Sequence, residues 1–222
     1  MGEVDIKFEN TQVWGFEHAV RGARNPMNSW DKSDSYYNDL HEYIIGDNDM
    51  KLLQSLVIAG NEHGKFMRMI HVSVDIDLPR YLHQELDTYH FGSKNSCSTM
   101  HKLLNNTNPI SLEDFCYCAE DEDWWYSTIT RLEQLRKEYK EIQATTKDRE
   151  AMERLLVRAK RMLPEGFLQK RTWDTNYAEL RNIYFQRRNH RLKDEWGNGV
   201  CKWIESLPYA VELICYEGKA NA

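Results

Sequence analysis

Asn176-Tyr177-Ala178-Glu179-Leu180-Arg181-Asn182-Ile183-Tyr184-Phe185-Gln186-Arg187-Arg188-Asn189-His190-Arg191 is the stretch on which the reading of this chain turns. Leu180, Ile183 and Tyr184 recur at helical spacing. They predict a long C-terminal helix running on through Leu192, Trp196, Val200, Trp203 and Ile204, broken near Gly197 and Gly199. On such a helix Asn176, Asn182 and Arg187 line neighbouring turns. Arg181, Arg187, Arg188 and Arg191 make this the most basic stretch of the chain. The planar fork of arginine suits bidentate contact with phosphate. The same charges also suit an ordinary solvated helix face, and the stretch alone leaves both readings open.

Upstream, His90-Phe91-Gly92-Ser93-Lys94-Asn95-Ser96-Cys97-Ser98-Thr99-Met100-His101 is a small-polar loop. It follows a helix predicted over Pro79–Tyr89, with proline in the first position. Its backbone amides and hydroxyls suit the cradling of an anion. Before that helix, Ile70, Val72, Val74, Ile76 and Leu78 alternate with polar residues and predict a half-buried strand. Val4-Asp5-Ile6-Lys7-Phe8 alternates too and predicts an opening strand. Phe16–Arg24 reads as a short helix ended by Asn25-Pro26. The polar run to Asp34, with Arg21, Arg24 and Asn28 at its start, reads equally as a ligand loop or a solvated helix end.

Asp47-Asn48-Asp49 suits the cap of a helix through Leu52, Leu53, Leu56 and Val57, with Gly60 as its stop. Ser111-Leu112-Glu113-Asp114 has the form of a capping box. The acidic run Glu120–Asp123 reads as a solvated face, and helical spacing returns over Ile129–Ile142 and Arg149–Met162. Few strands and many helices predict an α+β fold, a mixed sheet flanked by helices, in one domain over residues 1–222.

Composition excludes several classes. A net charge of −6 argues against a general nucleic-acid binder. No apolar run approaches the roughly 20 residues of a membrane helix. The N-terminus has no signal-peptide pattern and no myristoylation motif. Five cysteines, an odd number without regular spacing, read as reduced cytoplasmic thiols. Cys116 and Cys118 lack a second pair, so no metal site is expected.

The order and spacing of these segments resemble the flavin-dependent thymidylate synthase family. Its loop pattern R-H-R-x-x-S-x-N-E-x-S-x-R-Y matches here at Ser93, Asn95 and Ser98, while the Arg-His-Arg itself is replaced by Thr88-Tyr89-His90. The loop glutamate becomes Ser96 and the loop arginine Met100. The family's A-R-x-x-L-P corresponds to Ala159-Lys160-Arg161-Met162-Leu163-Pro164. Its N-x-R-x-L-x-N-x-x-x-x-R corresponds to Asn176, Ala178, Leu180, Asn182 and Arg187, with alanine replacing the arginine. Gly60, Glu62 and Phe66 retain a weaker element, followed by Met67 and Arg68, and Ala19-Val20-Arg21 matches an early A-x-R.

The resemblance implies a fold, a reaction and a set of residues. Arg187 and Ser98 would take catalytic positions, and Lys160, Arg187, Ser98 and Asn95 would hold a pyrimidine nucleoside monophosphate. His90, Ser93, Asn95, Asn176 and Asn182 would stand at the FAD site. The implied reaction is the reductive methylation of dUMP to dTMP, with methylenetetrahydrofolate and NADPH as co-substrates, by a cytoplasmic homotetramer. The loss of several phosphate-binding cations makes FAD doubtful; Arg21, Arg24, Lys94, Arg181 and Arg188 are the candidate replacements. A flavin-free pyrimidine-nucleotide enzyme and a non-catalytic nucleotide-binding protein remain the alternatives. His63 and His71 read as structural, Cys97 as a buried thiol, and Trp124-Trp125-Tyr126 as packing or interface residues.

Overall fold

The computed structural model describes residues 6–218. In chain order its elements are β1 (Lys7–Trp14), α1 (Phe16–Arg24), β2 (Tyr36–Tyr37), β3 (Tyr43–Ile44), α2 (Asp47–Ile58), β4 (His71–Pro79), α3 (Arg80–Leu86), β5 (Ser93–Ser96), α4 (Thr99–Lys102), α5 (Glu122–Ala144), α6 (Arg149–Met162), β6 (Leu168–Asn176), α7 (Tyr177–Arg187), α8 (Lys202–Glu205) and α9 (Ala210–Leu213). A wide-turned π-helical segment, Lys193–Cys201, precedes α8.

Four strands form one sheet in the order β1-β4-β6-β5, and β2 and β3 form a separate pair. Arg80 N–H donates to the Phe167 carbonyl, and Tyr177 N–H donates to the Ile70 carbonyl. Numbers rising along β4 therefore meet numbers falling along β6. Cys97 N–H bonds the Lys170 carbonyl, and the Thr175 hydroxyl bonds the Phe91 carbonyl, giving the same sense to β5 and β6. The α+β class is as expected; the strands run antiparallel rather than mixed.

The chain divides into two compact units. The first is centred on Ile76–Thr88 and Asn95–Thr172. Its core is the α5–α6 hairpin, where Leu132, Leu135, Leu155 and Ala159 close on Leu104, Phe115 and Trp125. Gly166 allows the chain to turn under this core, because a Cβ there would lie 2.4 Å from the Cys116 carbonyl oxygen.

The second unit is built from Phe8–Asp75, Tyr89–Lys94 and the chain from Trp173 onward. Ile70, Val72 and Val74 meet solvent on neither side, and Tyr177, Leu180 and Ile183 bury one stripe of α7. Trp173, Trp196 and Trp203 supply bulk, Trp173 and Trp196 being the largest fully buried side chains. A buried aromatic ring of this kind removes up to ~250 Å² from water.

Three local expectations change. Asp49 does not cap α2: it is fully buried and accepts from Arg24, from the Ser33 and Ser35 hydroxyls and from the Asp34 and Ser35 amides. Asp34 does the capping from outside, its carboxylate accepting the amides of Asn48 and Asp49. The long C-terminal helix stops at Arg187, and Gly197 and Gly199 lie within the following π-helical segment instead of breaking a helix. The capping box at Ser111 forms but opens only a three-residue turn. Val4 and Asp5 of the expected opening strand lie outside the described residues; the strand itself is β1.

Candidate functional site

In the second unit, α7 begins directly from β6. Asn176 caps it, its side chain accepting the Glu179 amide at 3.0 Å. Asn176, Glu179, Arg181 and Asn182 then face a cleft of about 350 Å³, closed by Arg68, Phe91 and Phe185. The structure thus brings Asn176 and Asn182 together on one wall. Ala178, at the position of the family's arginine, lines the same cleft. Burial raises the pKa of the Glu179 carboxyl, opposed by hydrogen bonding from the Phe91 backbone and the Asn182 side chain.

Arg187 lies one turn further along α7. Its Nε donates to the Tyr89 hydroxyl at 2.8 Å, and its guanidinium sits 4.7 Å from the Trp196 ring centroid. Tyr89 donates onward to Gln186 Oε1 at 3.0 Å, and Gln186 Nε2 donates to Asn182 Oδ1 at 2.7 Å. Arg187 and the Asn182 wall are joined by one run of donors pointing the same way.

In the first unit, the Lys160 ammonium donates to the Thr99 hydroxyl in a very short contact. Burial, and after it the charge of Arg80, lower the Lys160 pKa, with Glu165 opposing. Ser98 sits beside Thr99 on the wall of a cavity of about 200 Å³, with Cys97, Lys102, Gln169 and Lys170. Lys160 and the Ser98–Thr99 corner therefore form a hydroxyl-and-ammonium cluster suited to a phosphate monoester. Ser93 and Asn95, in β5, are exposed, as are His90 and Cys97, so Cys97 is not the buried thiol expected.

The candidate replacement cations are mostly in use. Arg24 is buried against Asp49. Arg181 donates to the Ile214 and Leu213 carbonyls at 2.6 and 3.3 Å. Arg188 forks onto Glu217 at 2.8 and 2.9 Å. Lys94 donates to the Tyr89 carbonyl at 3.2 Å, and Arg21 covers Trp30 at 5.5 Å. His71 stacks on Trp14, as a structural histidine does. Trp125 is a core residue, while Trp124 and Tyr126 are exposed. Among the described residues no helix is long and apolar enough to cross a membrane.

Glu179 escaped the sequence reading. Asn176-x-x-Glu179 has the form of a cap followed by a first-turn acid, which explains the glutamate without a cleft. The signal was its place between Asn176 and Asn182.

No protein-family model matches the chain, and no curated protein matches it in sequence. In three dimensions, the antiparallel sheet with α7 leaving β6 into a polar cleft defines an α+β protein of a particular kind. Its fold is that of the flavin-dependent thymidylate synthases. Thymidylate synthase X (ThyX) from Helicobacter pylori, in a crystal structure with FAD and dUMP, aligns over 95% of this chain and 96% of its own, with a TM-score of 0.65 and 17% identity. A second structure of the Helicobacter pylori enzyme, complexed with the same two molecules, aligns over 94% and 96% with a TM-score of 0.64 and 18% identity.

The residues present do not fit a flavin dinucleotide. Its diphosphate calls for cations, each charge-assisted hydrogen bond contributing roughly 1.5–3 kcal/mol. This chain offers Thr88, Tyr89, Met100 and Ala178 where the family pattern has basic or imidazole groups. Of the arginines in this stretch, Arg187 is bonded to Tyr89, Arg181 to main-chain carbonyls and Arg188 to Glu217.

Proposed function

We propose that this protein, as one thymidylate-synthase-like domain, binds a pyrimidine nucleoside monophosphate such as dUMP and holds no resident flavin dinucleotide. The observation carrying this reading is the Lys160–Thr99 contact beside Ser98. It retains an ammonium and two hydroxyls where the family pattern places nucleotide-binding residues. Lys160 would meet the phosphate as a point charge, and Ser98 and Thr99 would add hydroxyl donors. Asn95, exposed on β5, would add a contact at the rim. The protein would then be a nucleotide-modifying enzyme without flavin, or a nucleotide sensor.

A second reading keeps the whole reaction: reductive methylation of dUMP to dTMP with methylenetetrahydrofolate, FAD and NADPH, in a homotetramer whose other subunits complete the cation set. Asn176 and Asn182 favour it, because both line a cleft of ligand size. His90 and Ser93 would then face the cofactor.

One experiment separates the two. FAD is added to the purified protein with and without dUMP, the visible spectrum is recorded, and dUMP binding is measured by calorimetry. The first reading expects dUMP to bind and flavin to wash away. Flavin bands that persist and sharpen with dUMP, with dTMP formed on adding methylenetetrahydrofolate and NADPH, would replace it by the second. Absence of dUMP binding would remove both.

A further inference from the structure

The cavity beside Ser98 is lined entirely by residues of the first unit. Leu103 and Phe167 give it apolar surface, and its charged and polar groups sort by exposure. Lys102 and Lys170 are exposed, whereas Asp77, Asp114 and Gln169 are half-buried. The functional reading above uses the Ser98–Thr99 corner and gives the half-buried groups no task.

Those half-buried groups present acceptors. Asp114 Oδ2 accepts the Ser111 amide at 2.9 Å, and among the described residues Oδ1 accepts from no donor. Gln169 Nε2 donates to the Cys97 carbonyl at 2.7 Å. A carboxamide carries its donor and its acceptor on opposite arms, so a nitrogen turned to the main chain leaves the oxygen turned away from it. That oxygen, Oε1, also accepts from no donor among the described residues. Asp77, from β4, adds a second carboxyl to the lining. Burial raises the pKa of the Asp114 carboxyl; the Ser111 backbone bond opposes this, and the charge of Glu113 adds to it. A carboxyl so placed is partly deprived of water, and its open oxygen gains most from a donor that a ligand brings.

We infer that the base selected by this cavity is cytosine rather than uracil, its exocyclic 4-amino group donating to the Asp114 and Gln169 acceptors. The inference rests on the reading that a pyrimidine nucleoside monophosphate sits with its phosphate at Lys160 and Thr99, and it names the base of that nucleotide. Cytosine carries two N–H donors at the 4-position. Uracil carries a carbonyl oxygen there, whose lone pairs would face a carboxylate and be repelled. Asp114 is then the specificity-determining residue, and Gln169 is held to the same task by its bond to the Cys97 carbonyl.

The full chain is titrated with dCMP and with dUMP by calorimetry. The expected result is dCMP binding about tenfold or more tighter than dUMP, the margin of a site built to pair a polar edge. Asp114→Asn keeps an oxygen for the Ser111 amide and puts an amide nitrogen where Oδ1 stood, a donor that suits the uracil carbonyl. The preference for dCMP should then fall to unity or below. A third ligand probes the same contact without altering the protein. The deoxyribonucleoside monophosphate of pyrimidin-2-one has only hydrogen at the 4-position, and it should bind about tenfold more weakly than dCMP. Should Asp114→Asn fail to fold, this ligand decides: an affinity equal to that of dCMP would overturn the inference. A dUMP affinity equal to or tighter than that of dCMP would overturn it too and leave the nucleotide reading standing, as would a preference that survives Asp114→Asn. Binding of neither dCMP nor dUMP would remove the nucleotide reading and this inference with it.

Discussion

The Nε–H of Arg187 donates to the hydroxyl of Tyr89 over 2.8 Å, and that hydroxyl donates in turn to Gln186. In the sequence resemblance Tyr89 falls where the flavin-dependent synthases carry Arg-His-Arg. In the structure this tyrosine orients an arginine from α7. Tyr89→Phe leaves the guanidinium without this acceptor but keeps its stacking on Trp196. The expected cost is about 1–3 kcal/mol, read as a lower urea midpoint at unchanged slope. Arg187→Ala should cost more, and the double variant less than the sum of the two. Strict additivity would show that the two side chains are not coupled.

Asp49 holds the segment after α1 in place. Buried completely, it accepts from Arg24 at 2.5 Å and from the Ser33 and Ser35 hydroxyls at 2.6 Å each. Burial raises its pKa, but the bonds from Ser33, Ser35 and Arg24 outweigh burial and leave it below the ordinary 3.8. Asp49→Asn breaks a buried ion pair and should cost about 3–5 kcal/mol. The sign of the pH effect follows from the depressed value. The contribution is fully present above pH 3.8 and is lost as pH falls through the lower folded pKa. Urea melts of both proteins at descending pH should therefore converge only in strong acid. Convergence already at pH 5 would assign the stability elsewhere.

Asp49 also shows where the sequence misleads. Asp47-Asn48-Asp49 before a hydrophobic run has the form of a helix cap, and only tertiary contact reveals that Asp49 is a buried anchor. Helices with clean apolar spacing were legible, and α1 and α6 fall on the predicted Phe16–Arg24 and Arg149–Met162. β4 was legible from its alternation. β6 was not, because Gln169-Lys170-Arg171-Thr172 carries no apolar alternation, and its ladder comes from partners distant in sequence. β5, Ser-Lys-Asn-Ser, reads as a loop for the same reason. That Asn176 and Asn182 share one wall was legible through helical spacing, whereas Lys160 was singled out only through the family resemblance. Glu179 and Tyr89 were not legible, because their importance lies in what they touch.

Gly92 follows Phe91, which lines the cleft. The glycine adopts φ 152°, and a Cβ would lie 2.4 Å from the Asp174 carbonyl oxygen and 2.9 Å from the Trp173 indole nitrogen. Main chain cannot yield as a flexible side chain does. Gly92→Ala should displace Phe91 and cost about 1–3 kcal/mol, in the range for overpacking a filled site. Thermal denaturation reads the cost. Flavin uptake, on the second functional reading, should weaken in parallel, whereas dUMP affinity should not. A variant as stable as the parent would show that the segment has room to move.

Lys160 offers the sharpest test of the nucleotide reading, because its charge depends on pH in a known direction. Burial and the Arg80 charge depress its pKa below the ordinary 10.5. The unfolded chain keeps this proton up to that ordinary value, while the folded chain releases it earlier. Between the two values the unfolded state binds more protons, so this residue makes the protein more stable as pH rises through the window. Phosphate binding should move the opposite way, since the neutral amine no longer attracts the anion. Affinity for dUMP should accordingly start to fall at a lower pH than for an ordinary lysine site. Lys160→Arg, charged throughout, should bind within a few-fold of the parent at neutral pH and lose this pH dependence. Lys160→Ala should bind about 10- to 100-fold more weakly, the loss of one charge-assisted hydrogen bond. If dUMP affinity is the same in all three proteins at every pH, the phosphate does not sit on Lys160, and the cluster at Thr99 is a packing contact.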